Sequence, residues 1–120
     1  MNDSSSDEIK RLKWENTIWI VFAFLCLLNI AGDNDEINYL RRNNINFKRE
    51  ANTIFEFTLT VTFLIYLYFF TRNVNQLEKN QDKKELYEIK VLGSVFLLSG
   101  IICLIYFQKK QKNFTGSPAL

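Results

Sequence analysis

Glu56 is a carboxylate set among apolar residues, where an acid could bind an ion, carry a proton or lock two helices together. Asn29, Thr60 and Tyr106 are its candidate hydrogen-bond partners. These four residues form a predicted intramembrane polar cluster in which Glu56 faces the interior of a helix bundle. The alternative is that Glu56, about one turn inside its apolar segment, extends its side chain to water at the membrane surface.

Other chemistry has little support in the residue types. The chain has no histidine, which removes the commonest metal ligand and the usual general base at neutral pH. Cys26 and Cys103 lie in apolar segments without CxxC spacing and without a nearby cation to stabilise a thiolate. The net charge of +2 gives no global argument for nucleic acid as a partner. We therefore expect a protein that is not an enzyme, without cofactor, metal or nucleic-acid partner.

The apolar residues are concentrated in three segments, which must position the polar cluster. These are residues 17–31, 53–71 and 91–107. Together they hold 39 apolar residues in 51 positions and one charge, whereas the other 69 positions hold 18 apolar residues and 27 of the 28 charges. Segments of this length with almost no charge are typical of membrane spans, and a helix satisfies its own backbone groups in lipid. We predict an all-α integral membrane protein, located in the cell membrane.

The predicted single membrane domain covers residues 1–120 and has three transmembrane helices. The spans lie at about 14–32, 52–71 and 90–107, after a polar N-terminus at 1–13 and before a flexible basic tail at 108–120. Helices should extend beyond the bilayer at the second connection, where Lys84 and Glu88 are spaced to pair.

The sequence predicts where the first helix begins and where it ends. Ser5 and Glu8 have capping-box spacing, so a helix should begin near Ser5. Gly32, followed by Asp and Asn residues, is typical of a helix stop. The connection at 32–50 is then either a short helix on the membrane surface or a solvated loop.

The third span carries three small residues, Gly93, Ser99 and Gly100, which are candidates for helix packing because small residues let helices approach closely in lipid. Lys and Arg are divided almost equally between the two sides of the membrane, 8 against 7. The positive-inside rule therefore leaves the orientation open.

Two functional classes fit this plan. The first is a small accessory or regulatory protein whose partners are the lipid bilayer and another membrane protein, or a second copy of the chain. The second is a homo-oligomeric pore. In small size, polar N-terminus and basic C-terminal tail, the chain is similar to three-span holins, and this resemblance implies membrane permeabilisation.

Overall fold

The computed structural model describes residues 3–118, with side chains from residue 5 onwards. It contains α1 (Asp3–Arg42), α2 (Ile45–Lys79), a 3₁₀ turn (Gln81–Lys83) and α3 (Lys84–Lys110). The described residues include no strand, and each of the three long helices is long and apolar enough to cross a membrane. The all-α, three-span fold class is therefore confirmed. Residues 1, 2, 119 and 120, which belong to the predicted polar N-terminus and basic tail, lie outside the described part.

The helices form a flat layer with α2 in the middle. Both α1 and α3 pack along α2, and the layer measures 60 × 28 × 14 Å. The thickness of 14 Å is half the width of 28 Å, as expected for helices that lie side by side in one layer. Buried apolar packing is accordingly confined to narrow seams, such as the cluster of Ile18, Leu25 and Ile65 between α1 and α2.

The predicted helix stop at Gly32 is wrong, because α1 continues as one helix to Arg42. Gly32 is buried, and a Cβ atom built there would lie only 2.8 Å from Cζ of Phe55 on α2. This glycine therefore permits close approach of two helices instead of ending one.

The first connection is only two residues long, so both predicted forms of the 32–50 segment are replaced by helix. Asn43 has a φ of 53°, a left-handed conformation that asparagine tolerates. The side chain of Asn44 then caps α2 by accepting a hydrogen bond from the backbone N–H of Asn46 at 3.0 Å.

The second connection agrees with the predicted helical extensions. α2 ends at Lys79, eight residues past the predicted span, and α3 begins at Lys84, six residues before the third span. Lys84 and Glu88 form the predicted pair, with Nζ and Oε1 3.8 Å apart. α1 begins at Asp3, within two residues of the predicted start.

The segment after α3, residues 111–118, is named the tail. It folds back over the ends of the helices, with the Phe114 ring 5.2 Å from that of Phe107 and with Pro118 buried. The Ser117 hydroxyl donates to Oδ1 of Asn29 on α1 at 3.1 Å. Asn29 of α1 and Lys48 of α2 supply polar partners for the tail in this packed course, and its flexibility stays a prediction.

Candidate functional site

The predicted polar cluster does not assemble around the Glu56 carboxylate. The Glu56 side chain is 42% exposed and pairs with Lys112 of the tail. The Thr60 hydroxyl donates to the backbone carbonyl of Glu56 at 2.8 Å and not to its carboxylate. The structure thus places the Glu56 carboxylate at the surface of the chain, as in the alternative in which the side chain reaches the surface, and an interior role for Glu56 stays a prediction.

Asn29 and Tyr106 lie elsewhere. Oδ1 of Asn29 is 3.2 Å from the hydroxyl of Thr58, which is one of the buried α2 residues that face α1. Tyr106 is 64% exposed, and Lys110 Nζ lies 5.7 Å from its ring centroid. Residues 56 and 58 are about 200° apart around a helix, so the α2 surface that faces α1 cannot also present Glu56.

A buried ion pair joins α1, α2 and the tail at this end of the layer. Lys48 Nζ lies 2.6 Å from Oε1 of Glu36, and the Lys48 and Glu36 side chains are 5% and 3% exposed. The same ammonium donates to the backbone carbonyl of Phe114 at 2.6 Å. The other carboxylate oxygen of Glu36, Oε2, is buried and has no hydrogen-bond partner among the described residues. We name Glu36, Lys48 and the Phe114 carbonyl the tail lock.

The tail lock was missed from the sequence because both charged residues lie in the segment predicted to be a surface helix or solvated loop. Continuing α1 to Arg42 and starting α2 at Ile45 brings Glu36 and Lys48 face to face across a tight hairpin. The contact could have been predicted if residues 33–42 had been taken as a continuation of the first helix and Asn43 and Asn44 as the turn, because Glu36 and Lys48 then face each other.

Asp35 lies beside the tail lock among other acids. Partial burial, followed by the charges of Glu50 and Glu36, raises the pKa of Asp35 above its ordinary value. Asp35 in the folded protein therefore binds a proton more readily than an aspartate side chain does in water.

A second polar group lies at the opposite end of the layer and was also missed. Glu15 Oε1 of α1 accepts a hydrogen bond from Arg72 Nη1 of α2 at 2.9 Å, and Tyr68 donates to Oε2 at 3.2 Å. Arg72 also donates through Nε and Nη2 to Oδ1 of Asn73. Arg11, one turn from Glu15, places its Nε 3.6 Å from Oε2. We name these residues the Arg72 network.

The Arg72 network continues to α3. Asn73 Nδ2 donates to the hydroxyl of Ser94 at 2.5 Å, and both residues are buried. Ser94 donates in turn to the backbone carbonyl of Lys90. All three helices are thus connected by hydrogen bonds at this end. The sequence contained one indication of this contact: the first two spans must run antiparallel, which places Glu15 at the start of the first near Arg72 at the end of the second.

The small residues of α3 do not pack inside the chain. Gly93, Ser99 and Gly100 are exposed, and a Cβ atom at Gly93 or Gly100 would meet no atom within 4 Å. Gly93 and Gly100 are two turns apart on one side of α3, whereas Ser99 lies about 100° from Gly100. The helix contact of α3 within the chain runs through Ser94, Ile101 and Gln108 instead.

A cleft of about 610 Å³ opens beside the Arg72 network. Its lining includes Asp7, Glu8, Arg11, Tyr68, Arg72 and Lys79. We name it the charged cleft. A smaller cavity of about 290 Å³ at the other end includes Glu56, Lys109 and Lys112. Side chains of both signs make the charged cleft suited to a polar or charged group.

The described residues contain no group of three or more His, Cys, Asp or Glu side chains that could hold a metal ion. Comparison of the chain with protein-family models, curated proteins and solved structures found no match. Most of the hydrogen bonds that join two side chains of the described residues connect one helix to another, or the tail to a helix, so these polar residues hold the elements of the chain together.

Proposed function

We propose that the protein is a small accessory or regulatory protein of the cell membrane that binds another membrane protein, or a second copy of itself, through the outer surface of α3. The observation that carries the proposal is the exposure of this helix. α3 packs along α2 on one side, and only 11% of its most apolar stretch is buried within the chain.

The proposed contact surface is the side of α3 that carries Gly93 and Gly100. The absence of side chains at these two positions leaves the helix backbone open to a neighbour. In lipid, where helices gain no hydrophobic free energy by associating, close backbone approach and packing are main sources of association. Phe96 and Leu97, both exposed, lie between the two glycines and can fill grooves on a partner helix.

The arrangement of polar groups in the spans supports a binding role over the pore alternative. A water-filled pore needs polar side chains on the surface where subunits meet. Asn29, Thr58, Asn73 and Ser94 instead form hydrogen bonds to other parts of the chain. The most exposed surfaces of the spans are rich in apolar residues, which suit lipid or a partner helix.

The test is a capture experiment with the full, tagged chain. The chain is cross-linked in its native membrane, extracted in mild detergent and captured by its tag, and the cross-linked partners are then measured. The double variant Gly93→Leu/Gly100→Leu should reduce the cross-linked species severalfold, because both leucines protrude where the partner helix approaches. The variant should still fold, since its side chains enter open space and leucine favours helix more than glycine does.

Ile102→Phe is the matched control, because Ile102 is also exposed on α3 but lies on the opposite side from Gly93. Equal cross-linking by wild type, the double variant and the control would reject this surface of α3. Dye release from vesicles that contain the purified protein would favour the pore instead.

A further inference from the structure

The charged cleft begins at the level of the predicted membrane surface and runs outward from it. Tyr68, at its inner end, lies inside the predicted second span, and the ring of Trp14 is 6.3 Å from the Tyr68 ring. Trp19 stacks on Phe69 at 5.4 Å. Tryptophan and tyrosine concentrate at the boundary between hydrocarbon and headgroups, so these rings mark that boundary.

The inner part of the cleft has unused N–H donors on cations. Arg11 Nε is buried and has no hydrogen-bond acceptor among the described residues, since Glu15 Oε2 at 3.6 Å is too distant. Arg72 donates three of its five N–H groups to Glu15 and Asn73, which leaves two without an acceptor in the described part of the chain. A phosphate group is one of the two acceptors, with carboxylate, whose geometry the guanidinium group matches.

The outer part of the cleft carries carboxylates. Asp7 and Glu8 precede Arg11 by about one helical turn, which places them about 5 Å farther from the membrane. Neither forms an ion pair with a residue that the structure describes. Lys79 shares this outer part of the cleft, about 10 Å past Arg72 along α2. From the membrane outward, the cleft therefore presents Arg11 and Arg72 first, and then two carboxylates with one lysine, Asp7 and Glu8 with Lys79.

We infer that the charged cleft binds the headgroup of an ethanolamine phospholipid. The phosphate of such a lipid is next to the membrane and its ammonium lies farther out across a two-carbon link, in the same order as the complementary charges of the cleft. Arg11 and Arg72 take the phosphate, and Asp7 and Glu8 take the ammonium. A primary ammonium has three N–H donors for these carboxylates, whereas a choline group has none. An anionic headgroup without an ammonium would meet repulsion from Asp7 and Glu8.

The inference is tested by native mass spectrometry of the full chain, released from mild detergent after equilibration with equal amounts of phosphatidylethanolamine, phosphatidylcholine and phosphatidylglycerol. The wild type should retain one phosphatidylethanolamine per chain, severalfold above the other two lipids. R11Q should retain it about tenfold less, as expected for the loss of a charge-assisted hydrogen bond. D7N/E8Q should lose the preference for phosphatidylethanolamine over phosphatidylglycerol, because the repulsion is removed.

K10Q is the matched control, since Lys10 is exposed, adjoins Arg11 and lies outside the lining of the cleft. Equal retention of the three lipids by the wild type, or equal behaviour of R11Q and K10Q, overturns the inference. Asp7 and Glu8 are exposed, so D7N/E8Q should fold even if R11Q does not, and an unchanged lipid preference in D7N/E8Q also overturns it.

A final competition experiment distinguishes binding of a membrane lipid from binding of a soluble compound with the same headgroup. Glycerophosphoethanolamine, added at the concentration of the lipid, should leave the bound phosphatidylethanolamine in place, because the acyl chains remain against the apolar surface of the spans. Complete displacement at equal concentration would assign the cleft to a soluble phosphoethanolamine compound and reject the lipid.

Discussion

Glu15 and Arg72 form an ion pair across the α1–α2 interface, with 2.9 Å between Oε1 and Nη1 and side-chain exposures of 7% and 19%. The guanidinium also lies over the ring of Phe69, with Cζ 4.7 Å from the ring centroid. A charged pair so little exposed is costly to break, because removal of one partner leaves the other charge poorly solvated.

Glu15→Gln should therefore destabilise the protein strongly. We expect the free energy of unfolding to fall by about 2 kcal/mol, less than for a fully buried pair because Arg72 retains some exposure. Reversible unfolding in mixed detergent micelles, followed by tryptophan fluorescence, measures the change. Glu88→Gln at the exposed Lys84–Glu88 pair is the control and should cost less than about 1 kcal/mol. Equal losses in both variants would contradict the expectation.

Gly32→Ala should weaken the contact between α1 and α2, although alanine favours helix more than glycine does. The added methyl group would meet the ring of Phe55, which is buried and has little room to move. Overpacking of this kind costs about 1–3 kcal/mol in the free energy of unfolding. Gly100→Ala, where a methyl group enters open space, should be neutral or slightly stabilising in the same unfolding measurement.

A second substitution checks the mechanism. Phe55→Leu combined with Gly32→Ala should recover part of the lost stability, because a smaller side chain makes room for the methyl group. Additive losses in the double variant would show that Phe55 is not the residue that requires glycine at position 32.

Glu56→Gln should have little effect on stability, in contrast to Glu15→Gln. The Glu56–Lys112 pair is at the surface, with side-chain exposures of 42% and 50%, and exposed pairs contribute about 0–1 kcal/mol. The same micelle unfolding experiment measures it. A loss comparable to that of Glu15→Gln would instead support the predicted interior role of Glu56.

The tail lock should control the accessibility of the tail. In a Glu36→Leu/Lys48→Met variant the ammonium that binds the Phe114 carbonyl is absent, while no unpaired charge is left buried. Trypsin should then cleave after Lys110 and Lys112 faster than in the wild type, as followed by intact mass spectrometry. Lys84→Met, which alters only an exposed pair, should cleave at the wild-type rate.

Asp35→Asn should stabilise the protein at neutral pH. The raised pKa of Asp35 means that its charged form is disfavoured in the folded state, by burial first and then by Glu50 and Glu36. Since the folded state binds this proton more tightly, stability from Asp35 is present at low pH and lost as pH rises through the raised pKa. Because Asp35 is only partly buried, solvent screening keeps the gain from Asp35→Asn small; it should be present at pH 7 and shrink toward pH 4 in unfolding measurements. Asp33→Asn is the exposed control and should show no such gain.

The fold class was predictable because lipid imposes a simple rule: a span is a long run of apolar residues, and such runs are visible without any knowledge of packing. The end of the first helix was not predictable in the same way. Gly32 precedes Asp33 and Asn34, a combination typical of a helix stop, yet the contact with Phe55 on another helix requires glycine there.

The four residues of the candidate cluster do not meet around the Glu56 carboxylate, for a related reason. The spans are apolar around most of their circumference, so their sequences do not show which side of α2 packs on α1. Thr58 takes that side, and Glu56 is turned away to Lys112. Depth in the membrane could be estimated by counting residues, but the direction of a side chain around its helix depends on packing.

The tail gives the layer two unlike ends. α1 and α3 pack along α2, and at one end the tail continues from α3 across α2 to Asn29 of α1. The chain thus closes into a loop of contacts at that end, whereas the charged cleft lies at the other. At the cleft end no turn joins α1 to α2, so α1 is held there by packing and by the Glu15–Arg72 pair, whereas at the tail end the Asn43–Asn44 turn joins the two helices directly. A headgroup bound by Arg11 and Arg72 would then act as a further clamp between α1 and α2 at the end where no turn connects them.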